Sequence, residues 1–254
     1  MGTVFYIWQS DLDKKGNRFL IRDSLSDALD ELNKSSNEPL SLDHDTKDVS
    51  GTPPITETIL RKIETCSVVV ADLSIVGKSF GDDKSLPNPN VMFELGYAAA
   101  KIGWERVVCI MNSAYGEPEA LPFDLRGRRW PIRYNLPQDA LRDGPGRKGK
   151  QGELTKELEH AILLALDHVH ARAKEIRGRM NDECLELAAA KGANEFFHLP
   201  KDATMKDVMS NQGSRRGVLR LLDLGLLWCD VQGKNYAYHW TDMGKLVLRE
   251  LGIR

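Results

Sequence analysis

The chain has 254 residues, of which 41% are hydrophobic and 28% are charged, and its formal net charge is −2. These proportions are typical of a soluble globular protein with one large domain or two modest ones. The apolar stretches are short and interrupted by charge, and no basic N-terminal region precedes a long apolar core. Membrane insertion and secretion are therefore not expected, and a cytoplasmic protein is predicted.

The cysteines and histidines do not indicate a metal site or disulfides. The four cysteines are widely separated, and no two of them form a Cys-X-X-Cys motif, so reduced thiols in the core are predicted. They are Cys66, Cys109, Cys184 and Cys229. His160, His168 and His170 lack a carboxylate at the spacing of a ligand set, so we interpret them as surface histidines.

The first half of the chain alternates predicted strands and helices. Strands are expected at residues 4–8, 40–43, 66–73, 105–111 and 130–134. Helices are expected at residues 18–32 and 55–64, and a third begins near residue 90. Five strands that alternate with helices predict an α/β, flavodoxin-like, all-parallel sheet.

The loop after the first predicted strand carries groups suited to a nucleotide. Gln9 and Ser10 offer hydrogen bonds, and Trp8 offers a stacking face. The residue types alone fit a plain turn equally well.

Two longer loops follow in the same half of the chain. Residues 44–54 form a polar loop of a length typical of functional loops. His44 and Asp45 in it fit loop capping better than an acid–base pair. Residues 73–87 hold two glycines and alternating charges, so a mobile flap or disordered connector is predicted. The Gly-Lys-Ser triplet at 77–79 lacks the spacing of a phosphate-binding P-loop.

A predicted helix follows the third strand and carries the strongest candidate site. Its apolar stripe is Val91, Leu95, Ala98 and Ile102. Asn90 is the expected N-cap, and Glu94 lies one turn further along. Asn90, Glu94 and Tyr97 fall on neighbouring rows of the helix, and Asp72 and Asn88 approach the same end. These side chains can face the crevice at the carboxyl ends of the strands, where α/β sheets bind ligands.

Two interpretations of Glu94 follow from its position. In the first, Glu94 is an ordinary carboxylate in the first turn, which interacts favourably with the helix dipole and faces solvent. The neighbours Phe93 and Leu95 and the alanines at 98–100 instead favour a tightly packed helix. In that setting, Glu94 is a candidate catalytic carboxylate.

Three segments together carry a family resemblance. Residues 5–11, 69–74 and 88–98 resemble bacterial TIR-like nucleotide-binding domains, and they are also similar to the nucleoside 2-deoxyribosyltransferase superfamily. The resemblance extends over roughly residues 3–135. Both groups break N-glycosidic bonds, and the glutamate of their Glu-X-Gly element corresponds to Glu94.

The resemblance implies an enzyme that hydrolyses the nicotinamide–ribose bond of NAD, with Glu94 as its catalytic residue, in bacterial antiphage defence. NAD would be the substrate, and no cofactor or metal is expected. The expected substrate-binding residues are Trp8, Gln9, Ser10, Asp72, Asn88, Asn90 and Tyr97. TIR-like active sites are often completed by a neighbouring subunit, so the resemblance also implies a homo-oligomer formed through the 45–54 loop.

Two other functions stay open at this stage. One is a nucleoside or nucleotide N-glycosidase, or a deoxyribosyltransferase-like enzyme. The other is a non-catalytic nucleotide sensor that signals through its C-terminal domain.

The pattern of the second half of the chain predicts a second domain. Residues 1–140 are expected to form the TIR-like domain, and residues 180–254 a small α+β domain. Residues 141–179 between them are expected to hold a flexible basic junction at 143–152 and a long helix from residue 153 to about residue 177. Three short helices at 182–190, 205–209 and 215–224, a hairpin at 225–240 and a final helix capped by Thr241 resemble winged-helix domains.

The charge of this module does not decide its partner. Arg215, Arg216 and Arg220 would lie on the recognition helix and contact DNA or a protein partner. Residues 172–254 carry 14 basic and 11 acidic residues, which is a small excess for a DNA-binding domain.

Overall fold

The structure is a computed structural model that describes residues 2–35, 39–44, 54–81, 84–143, 145–194, 196–200, 215–232 and 235–253. The chain divides into two compact units, Met1–Leu166 and Asp167–Arg254. Among the described residues, no helix is both long enough and apolar enough to cross a membrane. None of the four cysteines, all of which lie in the described part of the chain, forms a disulfide, but Cys229 is exposed rather than in the core.

The first unit is built on a five-stranded parallel sheet. Its strands are β1 (Gly2–Ile7), β2 (Leu40–Asp43), β3 (Val68–Asp72), β6 (Val107–Asn112) and β7 (Ile132–Tyr134). Their order is β2-β1-β3-β6-β7, and each neighbouring pair is parallel. Because β1 lies between β2 and β3, the chain direction across the sheet reverses there. The α/β flavodoxin-like fold predicted from the sequence is confirmed.

Helices cover both faces of this sheet. They are α1 (Arg18–Ser35), α2 (Ile55–Thr65), α3 (Pro89–Ile102), α4 (Phe123–Arg126) and α5 (Pro145–Arg177). Apolar residues of α1 and of the first part of α5 pack with Val4, Tyr6 and Val70 on one face. Those of α2 and α3 pack with Phe5, Ile7 and Val69 on the other face. Short 3₁₀ helices lie at Trp104–Arg106, Ser113–Tyr115, Pro118–Ala120 and Gln138–Asp143.

The segment predicted as a mobile flap or a disordered connector contains regular structure, so the disordered alternative is wrong for its described residues. Strands β4 (Ile75–Lys78) and β5 (Ser85–Pro87) form an antiparallel hairpin with a bulge between Ile75 and Gly77. Hydrogen bonds between the two short strands satisfy backbone groups, and a glycine is a usual residue at a bulge.

The junction predicted as flexible is also helical, because α5 begins at Pro145 rather than near residue 153. Proline is favoured in the first turn of a helix. The Arg147 guanidinium donates hydrogen bonds to the Lys15 carbonyl oxygen (2.9 Å) and to Asp23 Oδ2 (2.7 Å). These contacts hold a glycine-rich first turn against the loop before α1 and the first turns of α1.

The second unit contains a three-stranded antiparallel sheet and helices. Its elements after the end of α5 are α6 (Asp182–Lys191), β8 (Phe196–Pro200), α7 (Arg215–Asp223), β9 (Leu227–Gln232), β10 (Asn235–Trp240) and α8 (Asp242–Glu250). The strand order is β8-β10-β9. The predicted hairpin is β9 and β10, and Thr241 caps α8 by accepting a hydrogen bond from the Gly244 amide (3.0 Å). The sequence did not predict β8, and the predicted helix at 205–209 lies outside the described residues.

Candidate active site at the carboxyl edge of the sheet

Polar side chains meet where β1 and β3 end, next to the point at which the strand order reverses. Gln9 follows β1 and is buried. Its Nε2 donates to Asp72 Oδ2 at 3.2 Å, and its Oε1 accepts from the backbone amides of Asp11 (2.7 Å) and Leu12 (3.0 Å). Gln9 therefore ties the loop after β1 to the end of β3.

Asp72 is the last residue of β3 and has no exposed surface. Its Oδ1 accepts hydrogen bonds from the Ser74 amide (3.0 Å) and the Ser74 hydroxyl (2.6 Å). Burial raises the pKa of this carboxyl group, while the hydrogen bonds from Ser74 and Gln9 act to lower it. Asp72 was expected to bind substrate, but the structure places it beneath the surface as a hydrogen-bond acceptor for the surrounding loops.

A buried polar network extends this edge towards β6. The Ser74 hydroxyl accepts a hydrogen bond from the backbone amide of Asn112 (2.9 Å). The side-chain Nδ2 of Asn112 donates to Asn17 Oδ1 (3.1 Å) and to the Leu136 carbonyl oxygen (2.9 Å). Asn17, Ser74 and Asn112 were missed by the sequence reasoning. The available signal was that Ser74 and Asn112 lie at or just after the carboxyl ends of predicted strands.

Asn88, rather than Asn90, caps the start of α3, which corrects the prediction. Asn88 Oδ1 accepts from the backbone amides of Asn90 (2.8 Å) and Val91 (3.1 Å), and Pro89 takes the first helical position. Proline has no amide hydrogen and its φ angle suits that position. Asn88 Nδ2 donates to Asp11 Oδ2 at 2.7 Å, and Asn90 is exposed.

Glu94 lies one turn into α3 and is only partly exposed. Among the described residues, no group forms a hydrogen bond or an ion pair with the Glu94 carboxylate. Burial raises the pKa of Glu94 to about 7. A desolvated carboxylate without donors is suited to stabilise a positive charge that a ligand brings.

Tyr97 is held by the neighbouring helix. Its hydroxyl donates to Glu64 Oε1 on α2, and Lys101 Nζ lies 3.0 Å from the same oxygen. Burial, and then the Glu64 carboxylate, raise the pKa of Tyr97 to about 12. Because its hydroxyl already has an acceptor, Tyr97 contributes to the packing of α3 on α2 in this structure.

Trp8 lies beside the same loop, with part of its ring covered. Its Nε1 donates to the His44 carbonyl oxygen (2.6 Å), and the Arg18 guanidinium lies 3.3 Å from the centroid of its ring. Trp8 therefore has at most one ring face for a base. Ser10 is exposed. Asp45, and the 45–53 part of the loop from which an oligomer was predicted, lie outside the described residues.

The basic residues predicted on the recognition helix lie on α7. Arg216 is exposed, and Arg220 Nη1 lies 3.4 Å from Asp223 Oδ2 one turn away. An exposed pair of this kind contributes little to stability, so Arg220 can exchange its partner readily. Arg215 is the first residue of α7, but its side chain lies outside the described part of the chain.

Comparison with known proteins agrees with the fold. Residues 16–135 match the family model described as CAP12/Pycsar effector protein, TIR domain. No curated protein matches the chain. The matched range contains every strand of the parallel sheet except β1, together with Asp72, Asn88 and Glu94. The first unit therefore has an α/β flavodoxin-like, TIR-like fold.

Proposed function

We propose that the TIR-like domain is an NAD hydrolase that cleaves the nicotinamide–ribose bond, with Glu94 as the catalytic carboxylate. The observation that carries the proposal is the partly buried Glu94 carboxylate, which has no partner among the described residues and whose pKa is raised to about 7. It lies near the carboxyl edge of the sheet, where folds of this class bind ligands. The matching family model describes effector proteins, which supports a role as an antiphage defence effector.

The chemistry needs one carboxylate at the anomeric carbon. The bond between that carbon and the positively charged nicotinamide ring breaks, and nicotinamide leaves as a neutral molecule that needs no proton. The ribose is left with an oxocarbenium-like charge, which the Glu94 carboxylate stabilises. Water then adds to the anomeric carbon, so the products are nicotinamide, ADP-ribose and a proton.

The raised pKa of Glu94 fits this substrate. In the free protein, the carboxylate has lost hydration without gaining donors, so its charged form is disfavoured. A cationic ring beside it lowers its pKa and favours the charged form. As the bond breaks, the positive charge moves from the nicotinamide ring to the anomeric carbon of the ribose. The attraction between this charge and the Glu94 carboxylate is therefore larger in the transition state than in the bound substrate.

The test is to incubate the purified protein with NAD and with a panel of nucleosides, and to separate the products by chromatography. Release of nicotinamide supports the proposal. Release of bases from nucleosides alone would instead assign a nucleoside N-glycosidase or deoxyribosyltransferase-like activity. Binding of NAD without any product would assign a nucleotide sensor.

For the second unit, we propose a winged-helix-like arrangement that contacts DNA through α7. Its support is the order α6, β8, α7 and the β9–β10 hairpin, with β10 in the middle of the sheet. In winged helices, the helix before the hairpin enters the major groove.

A gel-shift titration with duplex DNA across salt concentrations tests this role. We expect binding that weakens with salt and that decreases when Arg216→Ala and Arg220→Ala are combined. Absence of binding at low salt would exclude DNA and favour a protein partner.

A further inference from the structure

We propose that Asp11 is a positioning residue, which fixes the start of α3, and with it Glu94, through its hydrogen bond to Asn88. Only the activity measurements below rest on the proposed NAD hydrolase function. The bond joins residues 77 positions apart, with Asn88 Nδ2 2.7 Å from Asp11 Oδ2. Hydrogen bonds to a charged acceptor are stronger than those between neutral groups.

The position of Asp11 is in turn fixed by hydrogen bonds to buried residues. Its backbone amide donates to Gln9 Oε1 (2.7 Å), and Gln9 Nε2 donates to Asp72 Oδ2 (3.2 Å). Gln9 and Asp72 are both buried. An unbroken series of contacts therefore runs from the end of β3 through the loop after β1 to the first residue before α3.

Asn88 uses both ends of its amide group. Its Oδ1 caps α3 through the amides of Asn90 and Val91, and its Nδ2 contacts Asp11. Aspartate and serine cap helices as well as asparagine does. Ionised aspartate has no donor for a second carboxylate, and serine has a single oxygen on a shorter side chain for both bonds, whereas asparagine has an oxygen for the cap and separate N–H donors for the carboxylate. The choice of asparagine is thus explained by the bond to Asp11 and not by the cap.

Glu94 follows the cap within the same rigid helix, so a shift of the helix start moves its carboxylate. Catalytic groups lose efficiency with misplacements on the order of 1 Å, which can cost about a hundredfold in rate. Trp8, at the start of the loop after β1, packs with the apolar cluster of α1 on one face of the sheet, and α3 packs on the other face. The Asp11–Asn88 bond therefore joins the two sides of the edge at which the substrate is proposed to bind.

The experiment exchanges the two partners in the full-length protein. Asn88→Asp keeps an oxygen for the cap but removes the donor and places two carboxylates together. The double variant Asp11→Asn with Asn88→Asp has the net charge of the parent and allows the bond to form with donor and acceptor reversed. Asn181→Asp is the matched control, because Asn181 caps α6 in the second unit by accepting from the Cys184 amide at 3.0 Å.

We expect Asn88→Asp to lower kcat for NAD at least about tenfold, with a smaller change in KM. The double variant should recover to within about threefold of the parent, and Asn181→Asp should equal the parent. Parental kcat in Asn88→Asp, or no recovery in the double variant at parental melting temperature, would overturn the proposal.

A second measurement does not need turnover. The ¹³C chemical shift of the Glu94 carboxyl group is followed against pH in the protein without substrate, and the midpoint of this titration gives the pKa of Glu94. We expect its midpoint to shift in Asn88→Asp and to return in the double variant. If the parent cleaves neither NAD nor nucleosides, the proposed function fails while this titration still decides the role of Asp11. An unchanged midpoint in Asn88→Asp, or one that the double variant does not restore, would exclude that role.

Discussion

Asp72 and Glu94 are two carboxylates of the same domain with opposite surroundings. Asp72 is fully buried and accepts three hydrogen bonds, two from Ser74 and one from Gln9. Glu94 is partly buried and has no donor among the described residues. Burial raises the pKa of both groups, but only in Asp72 do fixed hydrogen bonds act against that effect.

The difference separates a structural carboxylate, Asp72, from Glu94, the carboxylate that we propose as catalytic. Donors that surround Asp72 compensate for the hydration that its carboxylate loses, and in return it orients the loops that carry them. The hydration that Glu94 loses is not compensated within the described protein. A positively charged ligand can supply that compensation, which is what a carboxylate that acts on NAD requires.

The largest expected effect is that of Glu94→Gln on turnover. Glutamine keeps the size of the side chain and removes the charge, so cleavage of NAD should fall about a hundredfold or more. Binding should change less, because the developing charge on the ribose exists only in the transition state. The rate of nicotinamide release, measured by chromatography, checks this expectation.

The matched control is Glu119→Gln, which neutralises an exposed glutamate of the same domain. It should cleave NAD at the parental rate. A Glu94→Gln protein that melts like the parent and releases nicotinamide at the parental rate would show that Glu94 is only a helix-start carboxylate.

Asp72→Ala should act on stability instead. It leaves the buried donors of Ser74 and Gln9 without their acceptor, and the loss should be about 2 kcal/mol or more in the free energy of unfolding. Urea denaturation followed by circular dichroism measures it. A loss below about 0.5 kcal/mol would mean that these donors find other acceptors, and the contrast with Glu94 would weaken.

The sequence predicted the parallel sheet well because its signals are local and strong. The β-branched apolar run Val68–Val70 is typical of a strand covered on both faces, and the alternation of strands with helices leaves few topologies. The β4–β5 hairpin was missed because its strands have four and three residues, and a bulge interrupts the alternation. The first turns of α5 were missed because contacts with α1 and the loop before it outweigh the low helix propensity of three glycines.

For the site, the sequence placed Glu94 in its helix but gave few of the contacts around it. The bonds of Asp72 to Gln9, of Asn88 to Asp11 and of Tyr97 to Glu64 join residues 63, 77 and 33 positions apart. Local periodicity carries no information on such pairs. The choice of Asn90 as N-cap was a local error, because a proline between two asparagines favours the first as the cap.

The pH dependence of stability should distinguish Glu94→Gln from the parent. The pKa of Glu94 in the folded protein is about 7, above the usual value of about 4.3 for glutamate in an unfolded chain. The folded state therefore binds more protons between these values, and stability falls as pH rises from about 4.3 to about 7. Glutamine does not titrate, so the variant lacks this loss.

We expect Glu94→Gln to be more stable than the parent by about 1 kcal/mol at pH 8, after allowance for the solvent exposure of the group. At about pH 3, where Glu94 is protonated in both the folded and the unfolded protein, the difference should be close to zero. Urea unfolding at both pH values measures it. An equal difference at the two pH values would show that the Glu94 charge is well solvated in the folded protein.

The smallest expected effect is that of Gly96→Ala, on the opposite side of α3 from Glu94. Gly96 is exposed, and a Cβ atom placed on it would meet no atom within 4 Å. Positions two apart in a helix point about 200° away from each other. Alanine is favoured over glycine inside a helix, so the variant should gain about 0.5 kcal/mol or slightly more in stability.

Because the added methyl group lies away from the Glu94 carboxylate, we expect NAD cleavage by Gly96→Ala to stay within about twofold of the parent, in contrast to Glu94→Gln. Thermal unfolding and nicotinamide release on the same sample test both expectations. A gain in stability with a large loss of turnover would mean that the substrate, or a second subunit, approaches the helix backbone at Gly96. The chemistry would then extend beyond the Glu94 side of α3, and the simple contrast between Asp72 and Glu94 would be incomplete.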